Sequence, residues 1–126
     1  MNFPDNLKYT KDHEWVLLDG NLATIGITAF AAGELGDIVY VDVNTIGEVI
    51  GEGDVFGTIE AVKTVSDLFM PISGEVIELN PAIDANPEIV NKDPYGEGWI
   101  IKAAIAEGTE MSHLMSAEDY KKLIGK

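Results

Sequence analysis

Short runs of β-branched and apolar residues, broken every few positions by glycine, proline or Asp/Asn, leave this chain few architectures. His13 to Leu18 and Leu22 to Ile27 flank Asp19-Gly20-Asn21, a hairpin turn signal. Asp37 to Val43, Val49-Ile50, Val55 to Val62, Val65 to Phe69, Glu75 to Leu79 and Trp99 to Ala106 read as further strands. Helices are confined to the edges of this pattern. Thr28 is placed to cap a helix over Ala29 to Leu35, with Gly33 weakening it and Gly36 as its stop. Asn86-Pro87-Glu88 is placed to open one helical turn, with the proline at its first position. Ser116-Ala117-Glu118-Asp119 resembles a capping box and predicts a last helix through Ile124, stopped by Gly125. Many short strands with turns between them favour a mainly β sandwich or barrel over an α/β layered fold.

One internal echo suggests a two-fold arrangement. Gly47-Glu48-Val49-Ile50 recurs as Gly74-Glu75-Val76-Ile77, the first 16 residues before Lys63 and the second 11 after it. A hairpin with Lys63 at its tip would carry one copy on each side.

Lys63 itself is the only lysine or arginine between Asp12 and Asn91, a stretch it shares with fifteen Asp and Glu residues. It sits in Thr58-Ile59-Glu60-Ala61-Val62-Lys63-Thr64-Val65, between two strand-like runs. A lone turn lysine is ordinarily just solvated. A single amine presented by a strongly acidic domain is also a candidate for an addressed chemical handle.

Composition narrows the function classes. At 126 residues the length fits one domain. A net charge of −14 disfavours nucleic acid and anionic membrane surfaces and favours proteins with basic faces. With no cysteine there is no thiol nucleophile and no disulfide, so redox chemistry requires an attached group. The start of the chain, Met1 to Lys8, reads as neither a signal nor a transit peptide. The expectation is a cytoplasmic protein, or a mitochondrial-matrix one if the chain is a processed eukaryotic product.

Other constellations carry no active site. Gly51 to Gly57 has glycines, but its spacing is wrong for a phosphate loop and a strand follows. His13 and His113 lack metal-ligand spacing, and His113 reads as a surface residue before the last helix. No metal site is predicted. Ser66-Asp67 reads as a turn rather than a nucleophile with its base.

Beyond these patterns, the sequence resembles the H-protein family of the glycine cleavage system. The motifs that carry the resemblance are Tyr9-Thr10, His13-Glu14-Trp15, Ala23 to Thr28, Leu35 to Val39, Glu60-Ala61-Val62-Lys63, Pro71 to Val76, Asn91 to Trp99 and Leu114 to Ala117. The departures are small: Ala61 and Thr64 stand where the family turn usually has Ser and Ala, Phe30 replaces a common Tyr, and Val43-Asn44 replaces Leu-Pro.

The resemblance implies a lipoyl-type fold, a flattened β-barrel or sandwich of two antiparallel sheets. Residues 1–126 would form one carrier domain, with the lipoyl-type core over about 22–104 and the C-terminal helix over about 116–124. It implies lipoate amide-linked to Lys63, on an arm reaching roughly 14 Å from the backbone. Glu60 would be read by the lipoate-attaching enzymes. Glu14 and Asp67 match positions able to pair with a cationic amine on the arm, against the plainer reading of solvated edge carboxylates. The chain would then be a non-catalytic carrier and a monomer. It would take an aminomethyl group from a pyridoxal-phosphate glycine decarboxylase to a tetrahydrofolate-dependent aminomethyltransferase, and electrons to dihydrolipoyl dehydrogenase. The alternatives are a lipoyl donor to other complexes, a biotin carrier on a related turn (Glu-Ala-Met-Lys-Met), and an unmodified acidic interaction module.

Overall fold

The computed structural model describes residues 3–126; Met1 and Asn2, part of the stretch read above for targeting signals, lie outside the described residues. The described chain has nine strands and four helices. The strands are β1 (Lys8–Tyr9), β2 (Glu14–Asp19), β3 (Leu22–Ile27), β4 (Ile38–Asp42), β5 (Val49–Ile50), β6 (Val55–Ala61), β7 (Val65–Phe69), β8 (Gly74–Leu79) and β9 (Ile101–Ile105). The helices are α1 (Ala29–Leu35), α2 (Pro81–Ala85), α3 (Ile89–Lys92) and α4 (Ala117–Ile124). Two antiparallel sheets result, one in the order β1-β2-β3-β9-β8-β5 and one in the order β4-β6-β7.

Alternation along the strands explains why the sheets face each other. In β6, Gly57, Ile59 and Ala61 are buried while Glu60 is exposed, the period of two that a half-buried strand imposes, and a register shift between Val55 and Gly57 turns Phe56 inward as well. Ile38, Val41, Phe56, Ile59 and Leu68 of the small sheet pack into one core with Val16, Ile25, Val76, Ile101 and Ala103 of the large one. The buried residues of this core run from Val16 to Ala103. A second cluster joins β1 to α4, where Tyr9 stacks on Tyr120 with ring centroids 5.0 Å apart and Phe3 meets Tyr120 edge-on.

The Gly-Glu-Val-Ile echo has a direct structural meaning, because the two copies pair with each other. Val49 lies opposite Glu75 and Ile50 opposite Gly74. The Gly47 amide donates to Val76 O at 2.7 Å and the Val76 amide to Glu48 O at 3.0 Å. The β6–β7 hairpin therefore leaves and returns through one antiparallel clamp.

Caps formed as the sequence predicts at two helices. Thr28 Oγ1 accepts from the Ala31 amide at 3.2 Å, and Ser116 Oγ from the Asp119 amide at 3.1 Å. Gly33 does not prevent α1. The expected turn at Asn86-Pro87-Glu88 is displaced: α3 begins at Ile89, and Pro87 precedes it. The helix with proline at its start is α2, capped by Asn80, which the sequence reading missed. Strand β1 was also missed; two residues carry no periodicity, and it exists through its pairing with Trp15 and Val16. Ser66 and Asp67 lie on β7 rather than in a turn. His113 is tied down, with Nε2 2.6 Å from Pro71 O.

Trp15 shows how tightly the layers meet. Its indole covers Gly26 on the neighbouring strand, and its Nε1 donates to Pro94 O at 2.9 Å. A Cβ at Gly26 would stand 2.6 Å from the ring. Gly26→Ala should therefore push the buried indole off its acceptor and lower stability by about 1–3 kcal/mol, read as a lower urea midpoint with an unchanged slope.

Candidate functional site

Lys63 stands at the tip of the β6–β7 hairpin, and the local chain explains its presentation. Glu60 and Val65 close the ladder, the Ala61 amide donates to Thr64 O at 2.8 Å, and the Val62 amide donates to Asp37 O at 3.0 Å. The turn is thus bonded both within itself and to the residue before β4. Val62, Lys63, Thr64 and Val65 are all exposed, with Val62 at 75 %. Valines on both sides of an exposed lysine bury nothing within the chain, so the turn faces outward with an apolar collar.

The lysine stem runs over Gly36, the residue that ends α1. Gly36 has φ +83°, and a Cβ built there would stand 3.4 Å from Lys63 Cε. The positive φ is what calls for glycine at this position, and the stem passes it at ordinary contact distance.

Beside the tip, a cleft of about 230 Å³ opens between α1 and β7. Its apolar walls are Ile27, Phe30, Ala31, Leu35, Ile59 and Leu68, and its carboxylates are Asp12, Glu14, Glu34 and Asp67, with His13 and Ser66 completing the lining. Leu35 adjoins Gly36, so the lysine stem and the cleft share a border.

The structure thus brings Glu14 and Asp67 to one cleft, 53 residues apart in sequence. Asp67 is exposed, as a plain solvated edge carboxylate would be, whereas Glu14 is 2 % exposed. Glu14 Oε2 accepts from the Phe69 amide at 2.9 Å, and Oε1 lies 3.2 Å from Thr10 Oγ1. Burial pushes its carboxyl up to about 8, against the Phe69 hydrogen bond that favours the ionised form. At neutral pH this group therefore holds a proton for most of the time. Glu60 is not in the cleft. It lies on the open face of the small sheet, between Tyr40 of β4 and Val65 of β7, three residues from the lysine.

His13, set aside in the sequence for lack of metal spacing, proves to be part of the cleft wall. Its backbone has φ 67°, and its Nδ1 lies 2.8 Å from Tyr120 Oη, which lies 2.8 Å from Thr28 Oγ1. Its ring packs 5.2 Å from Phe30, and burial lowers its pKa. No spacing rule joins His13 to Tyr120, 107 residues away. Among the described residues no group of three or more His, Asp or Glu is placed to hold a metal ion, and no helix is long and apolar enough to cross a membrane.

The Glu14 shift has a definite sign for stability. The folded carboxyl is held near 8 and the ordinary value is 4.5, so its contribution is full below about 4.5 and is lost as pH rises towards about 8. Glu14→Gln keeps an acceptor for the Phe69 amide and presents an amide to Thr10. The stability of the variant relative to the parent should therefore rise with pH across that window, measured by urea unfolding at several pH values. A flat difference would show that Glu14 is ionised in the fold.

The molecule has close counterparts. A family model described as Glycine cleavage H-protein matches residues 7–126. The glycine cleavage system H protein of Bacteroides fragilis is 57% identical over 124 residues, covering 98% of each chain. That of Staphylococcus saprophyticus is 48% identical over 126 residues, covering 100% of each. The crystal structure of a glycine cleavage system H protein from Mycobacterium marinum superposes with a TM-score of 0.86 at 35% identity, covering 98% of this chain and 100% of that one. On sequence, length and fold together, the chain belongs to the glycine cleavage H-protein family.

Proposed function

We propose that this chain is the lipoyl carrier of a glycine cleavage system, with lipoate joined to Lys63 Nζ as an amide. The observation that carries this reading is a lone lysine exposed on a rigid hairpin tip, bordering a cleft that is apolar in its walls and acidic in its lining. The residues fit such a group: the amine is accessible, the stem has room over Gly36, and the walls can shelter an alkyl arm of roughly 14 Å. Once attached, lipoate supplies a dithiolane whose disulfide–dithiol exchange carries the cargo and the electrons.

The chain's own residues supply a seat. Ile27, Phe30, Leu35, Ile59 and Leu68 exclude water from it. Glu14 and Asp67 offer carboxylates to the cationic amine of an aminomethyl cargo. A positive charge beside the Glu14 carboxyl favours its ionised form, so Glu14 releases its proton as the amine seats. A charged, hydrogen-bonded amine lacks the lone pair that would drive cleavage of its C–S bond, the step after which hydrolysis frees ammonia, and the cargo would be protected in transit.

Glu60 would be read by the lipoate-attaching enzymes, because it is exposed and in register beside the turn. The partners would be the pyridoxal-phosphate decarboxylase, the tetrahydrofolate-dependent aminomethyltransferase and dihydrolipoyl dehydrogenase, met in turn by a monomer. The −14 charge suits partners with basic docking faces. The bacterial relatives support a cytoplasmic location on the same reading.

Lys63 is the sole possible tryptic site between Lys11 and Lys92. Amidation should leave Asp12 to Lys92 as one peptide bearing a lipoyl mass, and Lys63→Arg should abolish both that mass and glycine cleavage. A biotinyl mass, or full activity in the arginine variant, would overturn the reading. Glu14→Gln should accept lipoate normally yet release ammonia from the loaded, isolated protein roughly tenfold faster or more, the scale of one charge-assisted hydrogen bond. An unchanged release rate would remove Glu14 from the seat.

A further inference from the structure

The segment Asn91-Lys92-Asp93-Pro94-Tyr95 belongs to neither sheet and does not line the cleft, yet its polar groups are directed at what holds the cleft in place. Tyr95 Oη accepts from the Ala29 amide at 3.0 Å, at the first residue of α1. Asn91 meets the other end of the same helix: Nδ2 donates to Gly36 O at 2.9 Å, and Oδ1 accepts from the Ile38 amide at 2.9 Å. These two groups straddle Asp37, whose carbonyl in turn accepts from the Val62 amide at 3.0 Å, one residue before the lysine. A continuous set of hydrogen bonds therefore runs from α3 through residues 36–38 to the Lys63 turn.

We propose that Asn91 is a positioning residue for the Lys63 turn. By holding Gly36 O and the Ile38 amide together, it fixes the Asp37 carbonyl on which the Val62 amide rests. This sets where the lysine stands at the cleft mouth and offers the attaching enzyme a turn already in its bound shape. The importance of the turn rests on the lipoyl-carrier reading; the coupling itself does not.

The residue type fits the task. One side chain must present a donor and an acceptor side by side to two backbone groups two residues apart. Asparagine does this; aspartate lacks the donor, and alanine lacks both. Without Asn91, the bend between α1 and β4 would keep the φ +83° glycine but lose its tie to α3. The Val62–Asp37 bond would then rest on a segment held only by the Gly36 amide on Ala32 O and by the start of the β4–β6 ladder.

The test uses the full-length, unmodified protein and reads amide hydrogen exchange residue by residue in Asn91→Ala and Asn91→Asp. Aspartate keeps the shape and the acceptor for the Ile38 amide, so it isolates the Gly36 bond and serves if the alanine variant does not fold. The Val62 amide should exchange about tenfold faster in the alanine variant, the scale of one net hydrogen bond, and by less in the aspartate variant. Exchange at Val76 and Ala103, in the β8–β9 ladder, should be unchanged. With lipoate and its ligase, the KM for the variant protein should rise with kcat unaltered, because the ordering of the turn is then met on binding. Unchanged exchange at Val62, equal acceleration at Val76 and Ala103, or an unchanged KM would each overturn the proposal. A parent protein that accepts no lipoate would sink the carrier reading instead, and the exchange data would still decide the coupling.

Discussion

A three-stranded sheet has to share one core with a six-stranded one, and most of the architecture follows from that mismatch. Burying the facing apolar residues is the main driving force for folding, and it acts on area. The small sheet covers only part of the larger one. Ala31 and Leu35 of α1, and Met111 and Leu114 of the segment before α4, pack against the remainder of the core. The seam where α1 meets β7 is left as a cleft. The Lys63 tip borders that seam because β6 and β7 belong to the small sheet and end in the turn beside Gly36. The cleft beside Lys63 is thus a by-product of incomplete coverage.

Glu14 is the polar counterpart of this seam. It begins β2 of the large sheet and accepts from the backbone of Phe69 at the end of β7 in the small one, so one carboxyl bridges the two layers at the cleft floor. Burying this carboxyl with a proton costs less than burying it charged and unpaired. The neighbouring carboxylate of Asp12 adds to that preference, while His13 is discouraged by burial from supplying a compensating charge. On the proposed reading an arriving cation would reverse the balance, and the cleft would select for charge although its walls are mostly apolar.

Legibility in the sequence followed the range of the interaction. The β2–β3 hairpin was readable from Asp19-Gly20-Asn21, and the caps at Thr28 and Ser116 from side chains that reach amides three residues away. The Gly-Glu-Val-Ile echo pointed to a hairpin with Lys63 at its tip, and the copies turned out to pair with each other. Strand β1 was not readable, since two residues have no period and its partners lie elsewhere. Helix α2 starts at Asn80-Pro81, a start signal that sequence alone cannot tell from Asn86-Pro87 six residues later. Glu14 and Asp67 were picked out by resemblance, not by pattern. His13, Tyr120 and Asn91 gave no local signal of what they do, because each acts through a partner at least 53 residues away.

The sequence by itself determined the β-rich class, the acidic charge, the absence of any thiol and the single lysine at a hairpin tip. These depend on composition, on periodicity and on turn chemistry spanning a few residues. The tertiary structure alone decided that Glu14 is buried with its carboxyl pushed up while Asp67 is open to water, and that both face one cleft beside Lys63. The reason is physical: the state of a carboxyl depends on the water and charges around it, and those are set by which strands the shared core brings together.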